Sequence, residues 1–163
     1  VTRAVIVEDT KAPILSCYVS TSSLWPPKHD MVNVGFGVYV SDDGDIAPDI
    51  SVKVYSDEKE DVDTGDGNFS PDARDLAAGS LRLRAERNGE GDGRVYLIVV
   101  TATDKSGNSS FHFCTVVVPH SQSRAAINAV NAQAAAVKAS CGPNGSPLTP
   151  FMIGGGPVIG TKQ

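Results

Sequence analysis

Alternation of apolar and polar residues dominates the first three quarters of the chain. In the segment MVNVGFGVYV, residues 31–40, every second residue from Val32 to Val40 is apolar. Successive side chains of a β-strand point to opposite sides, so a two-residue period predicts a strand with one buried face. Further segments typical of strands are residues 13–19, 50–56, 81–87, 94–104 and 109–119. The pattern predicts about six strands in the body of the chain.

The period changes after residue 120. Residues 125–139 contain eight alanines, and Val130 and Val137 belong to one narrow apolar stripe. This spacing predicts a short helix, which Ser121 or Ser123 can cap through its hydroxyl group.

These patterns divide the chain into four parts. The parts are an N-terminal strand extension (residues 1–8), a β-body (9–120), an alanine-rich helix (121–141) and an apolar tail rich in Gly and Pro (142–163). Turns between strands and the absence of a helical period within the body predict an all-β fold. The predicted architecture is an antiparallel β-sandwich of about seven strands, with a short C-terminal helix and an extended tail.

Several motifs of the body resemble one class of module. They are DTKAP (9–13), the segment from LWPPKHD to SDDGD (24–45), ATDKSGN (102–108) and TVVVPH (115–120). Together they are similar to the immunoglobulin-like β-sandwich modules of bacterial secreted and cell-surface proteins, such as the hyaline-repeat and cadherin-like groups. The resemblance covers about residues 9–120 and implies an immunoglobulin-like fold and a secreted or cell-surface location. It implies no single function, because this fold hosts many.

Three cysteines indicate one disulfide and one remaining thiol. Cys17 shares a strand face with Leu15 and Val19, and Cys114 shares one with other apolar residues. In an immunoglobulin-like sandwich the first and last strands can lie side by side, so we expect a Cys17–Cys114 bond. The alternative is a pair of buried thiols. Cys141 is then left over and available to link subunits.

The charge of the chain limits its partners. The net charge is −5 and the isoelectric point is near 5.0. Nucleic-acid binding requires clustered Lys and Arg, so we expect no nucleic-acid partner. A run of about 18 apolar residues does not occur, so we also expect no membrane span.

The most acidic segment, residues 57–75, is a candidate calcium site. It holds eight acidic residues, and hard cations prefer several carboxylate oxygens from a flexible loop. The candidate ligands are Asp61, Asp63, Asp66 and Asp72. The spacing departs from that of an EF-hand, and a solvated loop without a metal is the alternative. The resemblance separately implies Asp9 and Asp104 as calcium ligands between modules.

Catalytic motifs are not found in the sequence. His29, His112 and His120 are scattered, and neither a nucleophile elbow, a zinc-protease motif nor a phosphate-binding loop occurs. We therefore expect a protein that is not an enzyme. Trp25 in a Pro-rich loop is either a sugar-stacking residue or a packing residue. The arginines of residues 82–94 are expected to lie on an exposed face, paired with nearby acids.

Two functional hypotheses follow. In the first, the chain is an extracellular structural subunit that associates with copies of itself. Exchange of the terminal strand and tail between copies would join the subunits, in one form as filaments. The predicted interface residues are Val5, Ile6, Val7, Cys141, Phe151, Met152, Ile153, Val158 and Ile159. In the second, it is an adhesion or ligand-binding module of a larger secreted protein, for carbohydrate or protein. Its helix and tail then fold back on its own sandwich.

Overall fold

Nine strands and one helix are found among the residues that the structure describes. The computed structural model describes residue 4 and residues 7–59, 69–147 and 158–159, the last two for their backbone alone. The elements are β1 (Ile14–Tyr18), β2 (Met31–Asn33), β3 (Gly37–Ser41), β4 (Asp49–Ser56), β5 (Ala73–Arg74), β6 (Arg82–Arg84), β7 (Gly93–Thr103), β8 (Ser109–Pro119), α1 (Arg124–Ser140) and β9 (Val158–Ile159). The expectation of a mainly β protein with one C-terminal helix is confirmed.

The strands form three antiparallel sheets. β1 pairs with β3, and β6 lies between β2 and β5. The largest sheet has the order β8, β7, β4, β9. β7 and β8 are paired along their whole length, from Gly93 opposite Pro119 to Thr103 opposite Ser109.

The single strand predicted over residues 31–40 is two strands in the structure. β2 and β3 are separated by Gly35, whose φ of +59° takes the backbone out of strand geometry. A residue with a side chain is disfavoured at this φ, which explains the glycine. The break carries the chain from the sheet of β6 to the sheet of β1, while Val34 and Phe36 at the break remain buried.

One hydrophobic core lies between the sheets. Its largest members include Phe36, Leu83, Tyr96 and Ile98, which are almost completely buried. Apolar side chains of β1, β3, β6, β7 and β8 all contribute to this core.

A disulfide joins the first strand to the last strand of the body. Cys17 of β1 is bonded to Cys114 of β8, across 97 positions of sequence. The predicted pairing is confirmed, and Cys141 is the free cysteine.

The helix packs on the outer face of the largest sheet. Ser123 caps its start and accepts a hydrogen bond from the backbone N–H of Ala126. The buried side chains of Val130 and Ala134 contact those of Val95 and Val117, and Val137 contacts a second group around Leu97. Among the described residues, no helix has the length and apolarity that a membrane crossing needs.

The tail pairs with its own chain, which differs from the sequence-based expectation. Val158 and Ile159 were expected on the sheet of a neighbouring subunit, but Ile159 lies opposite Val54 and Val158 opposite Tyr55 of β4. The edge of β4 that faces away from β7 offers unpaired backbone groups. Pairing within one chain satisfies them without the entropy cost of association.

Most other predicted interface residues lie outside the described part of the chain. These are Val5, Ile6, Phe151, Met152 and Ile153. Of the predicted leading strand, the described residues Ala4, Val7 and Glu8 are not in a strand, and Val7 is 90% exposed.

The Cys17–Cys114 bond is expected to contribute strongly to stability. Replacing both cysteines by alanine (C17A/C114A) should lower the free energy of unfolding by about 2–5 kcal/mol, because the bond closes a very long loop in the unfolded chain. Urea unfolding followed by circular dichroism measures this change. The Cys141→Ala variant keeps the disulfide and is the matched control. Equal unfolding midpoints for the two variants would contradict the expectation.

Candidate functional site

A network of buried charged groups lies at the start of β7. Arg94 is fully buried, and its Nη1 donates hydrogen bonds to Oδ2 of Asp72 at 2.6 Å and to the hydroxyl of Tyr96 at 2.9 Å. Its Nε donates to Oε2 of Glu58 at 2.9 Å. A buried charge without partners is strongly unfavourable, so these acceptors allow a guanidinium group to lie in the protein interior.

Arg84 extends the network from β6. Its Nη1 donates to the carbonyl oxygen of His29 at 2.7 Å, and its Nη2 donates to that of Pro71 at 2.8 Å. Its Nε lies 3.2 Å from Oδ1 of Asp72. The Asp72 carboxylate therefore lies between two guanidinium groups.

The network fixes both ends of the acidic loop. Near the start of the loop, Glu58 binds Arg94 and accepts a hydrogen bond from the backbone N–H of Asn88 at 2.8 Å. Near its end, Asp72 binds Arg84 and Arg94. The network thus holds described residues near both ends of this segment.

His29 marks the solvent side of the network. Its Nδ1 lies 2.6 Å from Oε2 of the fully buried Glu86. Its ring stacks on Phe69, with 4.5 Å between ring centroids, and the Arg84 guanidinium lies 5.6 Å from the centroid of the Phe69 ring.

Burial changes the proton affinity of two acids in and beside the network. Burial raises the pKa of Glu86 to about 7, although the hydrogen bond to His29 acts to lower it. Burial also raises the pKa of Asp57 to about 7, against the lowering effect of the hydrogen bond from the backbone N–H of Val95. Both carboxyl groups bind a proton more tightly than they do in water.

The network corrects one expectation and bears on a second, the calcium site, which stays a prediction. The arginines of residues 82–94 were expected at the surface, yet Arg84 and Arg94 are buried, whereas Arg82 forms an exposed pair with Asp75 as expected. Asp72 was expected as a calcium ligand but is engaged by two arginines. The other candidates of that site, Asp61, Asp63 and Asp66, lie outside the described residues.

One signal in the sequence could have revealed the network. Arg94 begins a segment that is apolar on both faces, so a strand buried on both sides carries a charge at its start. A buried charge requires an opposite charge, and the acid-rich loop precedes it in the chain.

A second group of acids lies where three turns meet. The carboxylates of Asp9, Asp42 and Asp104 each offer an oxygen, and these oxygens lie within 4.8 Å of one another. The two acids that the resemblance implied, Asp9 and Asp104, are therefore close together. Each carboxylate accepts hydrogen bonds from backbone N–H groups of its own turn. Asp9 accepts one from Lys11, and Asp42 accepts from Gly44 and Asp45. Asp104 accepts one from Asn108.

These hydrogen bonds account for the positions of the three acids without a metal ion. Burial acts to raise the pKa of Asp104, but hydrogen bonds from the side chain and backbone of Asn108 hold that pKa below its ordinary value. Calcium binding by this group stays a prediction.

The outer face of the β1–β3 sheet is uncovered among the described residues. The register places Ile14 opposite Ser41, Ser16 opposite Tyr39 and Tyr18 opposite Gly37, and we call these six residues the tyrosine face. Directly opposed residues of an antiparallel pair point to the same side of the sheet. Tyr18 is 62% exposed and Tyr39 is 60% exposed.

Close packing determines how Tyr18 lies on this face. A Cβ atom added to Gly37 would collide with Cζ and Cε1 of Tyr18. The phenol ring therefore lies down across the sheet, over the space that a side chain at position 37 would fill. This arrangement gives the tyrosine face a flat aromatic surface.

A small polar cavity continues the tyrosine face at its other end. It has a volume of about 160 Å³ and is lined by Lys11, Ala12, Ile14, Ser41, Asp42 and Asp43. Nζ of Lys11 lies 3.5 Å from Oδ2 of Asp43. Charged hydrogen-bonding groups thus lie at the Ile14 end of the tyrosine face, opposite the end that holds Tyr18.

Two other sequence candidates have different surroundings. Trp25 is 45% exposed and follows the buried Leu24, whose N–H donates to the carbonyl of Val117. His112 is half-buried beside the disulfide, and its Nδ1 accepts a hydrogen bond from the N–H of Cys17 at 3.1 Å. Neither belongs to the tyrosine face, which the sequence analysis did not identify.

The chain was compared with known protein families, with curated proteins and with solved structures, and no match was found in any of the three. The resemblance to immunoglobulin-like modules therefore depends on the sequence motifs alone.

Removal of the Arg94 charge is expected to destabilise the fold. Arg94→Met keeps much of the side-chain volume but removes the guanidinium that neutralises Asp72 and Glu58, and breaking such a buried pair costs about 3–5 kcal/mol. The matched control is Arg82→Met, which breaks the exposed pair with Asp75 and should cost less than about 1 kcal/mol. Urea unfolding of both variants measures the difference. A similar loss of unfolding free energy in both variants would show that the buried network adds little to stability.

The contribution of Asp57 and Glu86 to stability is expected to decrease as the pH rises from about 4 to about 7. In this range the folded chain keeps protons on Asp57 and Glu86 that the unfolded chain has released, because both pKa values are about 7 in the folded state. The stabilisation is therefore complete below the unfolded-state pKa values and is lost as the pH passes the folded-state values.

The variant Asp57→Asn should reduce this pH dependence, and Glu86→Gln should reduce it separately. Urea unfolding at intervals between about pH 4 and 8 gives the change of unfolding free energy with pH for each chain. Three parallel curves for the native chain and the two variants would contradict the assignment.

Proposed function

We propose that the chain is a non-enzymatic binding module of an extracellular or cell-surface protein, built as an immunoglobulin-like β-sandwich. The motifs of residues 9–120 support the type of module. The Cys17–Cys114 bond supports an oxidising location, because disulfides persist mainly outside the cytosol.

The distribution of covered and uncovered surface carries this proposal. α1 covers the outer face of β7 and β8, and β9 pairs with the edge of β4. The chain thus uses its own C-terminal elements to cover its largest sheet. The tyrosine face, by contrast, exposes large side chains, and exposed aromatic groups that lie together are typical of contact surfaces.

Self-assembly by strand exchange is the second candidate function. It is favoured by the short pairing of β9 among the described residues, which involves Val54 and Tyr55 of β4. Among the described residues, the same edge of β4 has no strand partner from Asp49 to Lys53. A strand of a second copy could pair there, as in β-augmentation, and the predicted terminal interface residues would then supply it.

The oligomeric state separates the two candidates. We expect the full chain, with Cys141→Ser to prevent linkage between chains, to be a monomer in sedimentation velocity. A chain that ends at Pro147 should also be monomeric. Its free energy of unfolding should be lower by about 1–2 kcal/mol, because the edge of β4 loses the backbone hydrogen bonds of β9.

A chain shortened only by residues 160–163 retains β9 and is the matched control. Oligomers of the full chain that disappear in the chain ending at Pro147 would establish strand exchange and overturn the monomeric module.

A further inference from the structure

The tyrosine face has the composition of a surface for an uncharged ligand. Its six residues are two tyrosines, two serines, an isoleucine and a glycine, none of which is charged at neutral pH. The chain as a whole carries a net charge of −5. A polyanionic ligand would be repelled by the net negative charge of the molecule, and the Asp43 carboxylate beside the face is already paired with Lys11.

The size of the face limits the kind of partner. Two strands of five residues cover an area of about 10 Å by 17 Å, or roughly 170 Å². A stable protein–protein interface buries about 800 Å² on each partner. The face is therefore too narrow to serve as a complete protein interface, but its length suits a thin, extended chain molecule.

The chemistry of the face matches that of a sugar chain. Sugar rings have apolar C–H faces, which stack on aromatic rings, and hydroxyl groups at their edges, which form hydrogen bonds. The ring of Tyr18 lies down across Gly37, and Tyr39 is exposed diagonally across from it on the neighbouring strand. Tyrosine combines an apolar ring with a polar hydroxyl group, as such a ligand requires.

The cavity beside Ile14 supplies hydrogen-bonding groups at the end of the face away from Tyr18. The ammonium group of Lys11 and the carboxylate of Asp43 are both largely exposed there. Ligand sites commonly join an apolar surface to a few polar groups that fix orientation.

We propose that the tyrosine face binds an uncharged, linear polysaccharide by stacking on Tyr18 and Tyr39, with the cavity at Lys11 and Asp43 binding the hydroxyl groups of the next sugar. This inference rests on the proposed function and names the ligand class of that module.

Binding to insoluble polysaccharides tests the proposal. Amorphous cellulose, a neutral β-1,4-glucan, and chitin are mixed with the intact chain, and the protein left in solution is measured. We expect the native chain to be retained on at least one of them. Tyr18→Ala and Tyr39→Ala should each weaken retention about tenfold, a loss of about 1.4 kcal/mol. Tyr39→Phe should keep most of the affinity, because stacking needs the ring.

Matched controls use exposed aromatic residues outside the face. Trp25→Ala and Phe69→Ala remove side chains of similar exposure and should bind like the native chain. Melting temperatures of all variants verify folding, and Tyr39→Ala serves as the decisive variant if Tyr18→Ala unfolds. Loss of binding in Trp25→Ala together with retention in both tyrosine variants would overturn the site.

Two further results would overturn the ligand class. One is a native chain that cellulose and chitin do not retain and that also fails to bind soluble xylan and mannan. The other is stronger retention on a sulfated polysaccharide than on a neutral one. If the chain is a monomer and gives either result, the ligand class is wrong but the proposed binding module stands. If the chain forms oligomers through its tail, the proposed function itself is overturned.

Discussion

The need to bury both faces of β7 determines much of this structure. Tyr96, Ile98 and Val100 point into the core between the sheets, and Val95, Leu97 and Val99 point to the opposite side. Neighbouring strands satisfy the backbone but leave the second apolar face exposed to water, which is unfavourable in proportion to its area. α1 covers that face, so the C-terminal helix is an integral part of the fold.

The same burial makes the start of β7 an unusual place for a charge. Arg94 is tolerated there because Asp72, Glu58 and Tyr96 surround its guanidinium with acceptors. These partners come from the acidic loop and from β7 itself, so one buried cation holds both ends of that loop against the sheets. The interior of the protein thereby holds the described residues at both ends of this segment.

The two sides of the molecule differ in how far the chain covers its own sheets. On the side of β7 and β8, α1 and β9 cover apolar area and backbone edge. On the side of β1 and β3, the described chain covers nothing, and two tyrosines remain exposed on a flat surface. An uncovered aromatic face of this kind is compatible with a ligand. This contrast is the physical basis for interpreting the chain as a module that binds.

The sequence alone predicted most strands of the body and the helix with its serine cap, because each depends on local periodicity. The disulfide was expected from residues that share a strand face together with the resemblance to immunoglobulin-like sandwiches. The sequence did not determine the break at Gly35, the burial of Arg84 and Arg94, or the pairing of β9 with β4. Alternation alone assigns arginines to the outside, and only the fold brings Asp72 to them from a distant loop. The tyrosine face likewise required the register of β1 against β3, since two tyrosines in separate segments become neighbours only through tertiary pairing.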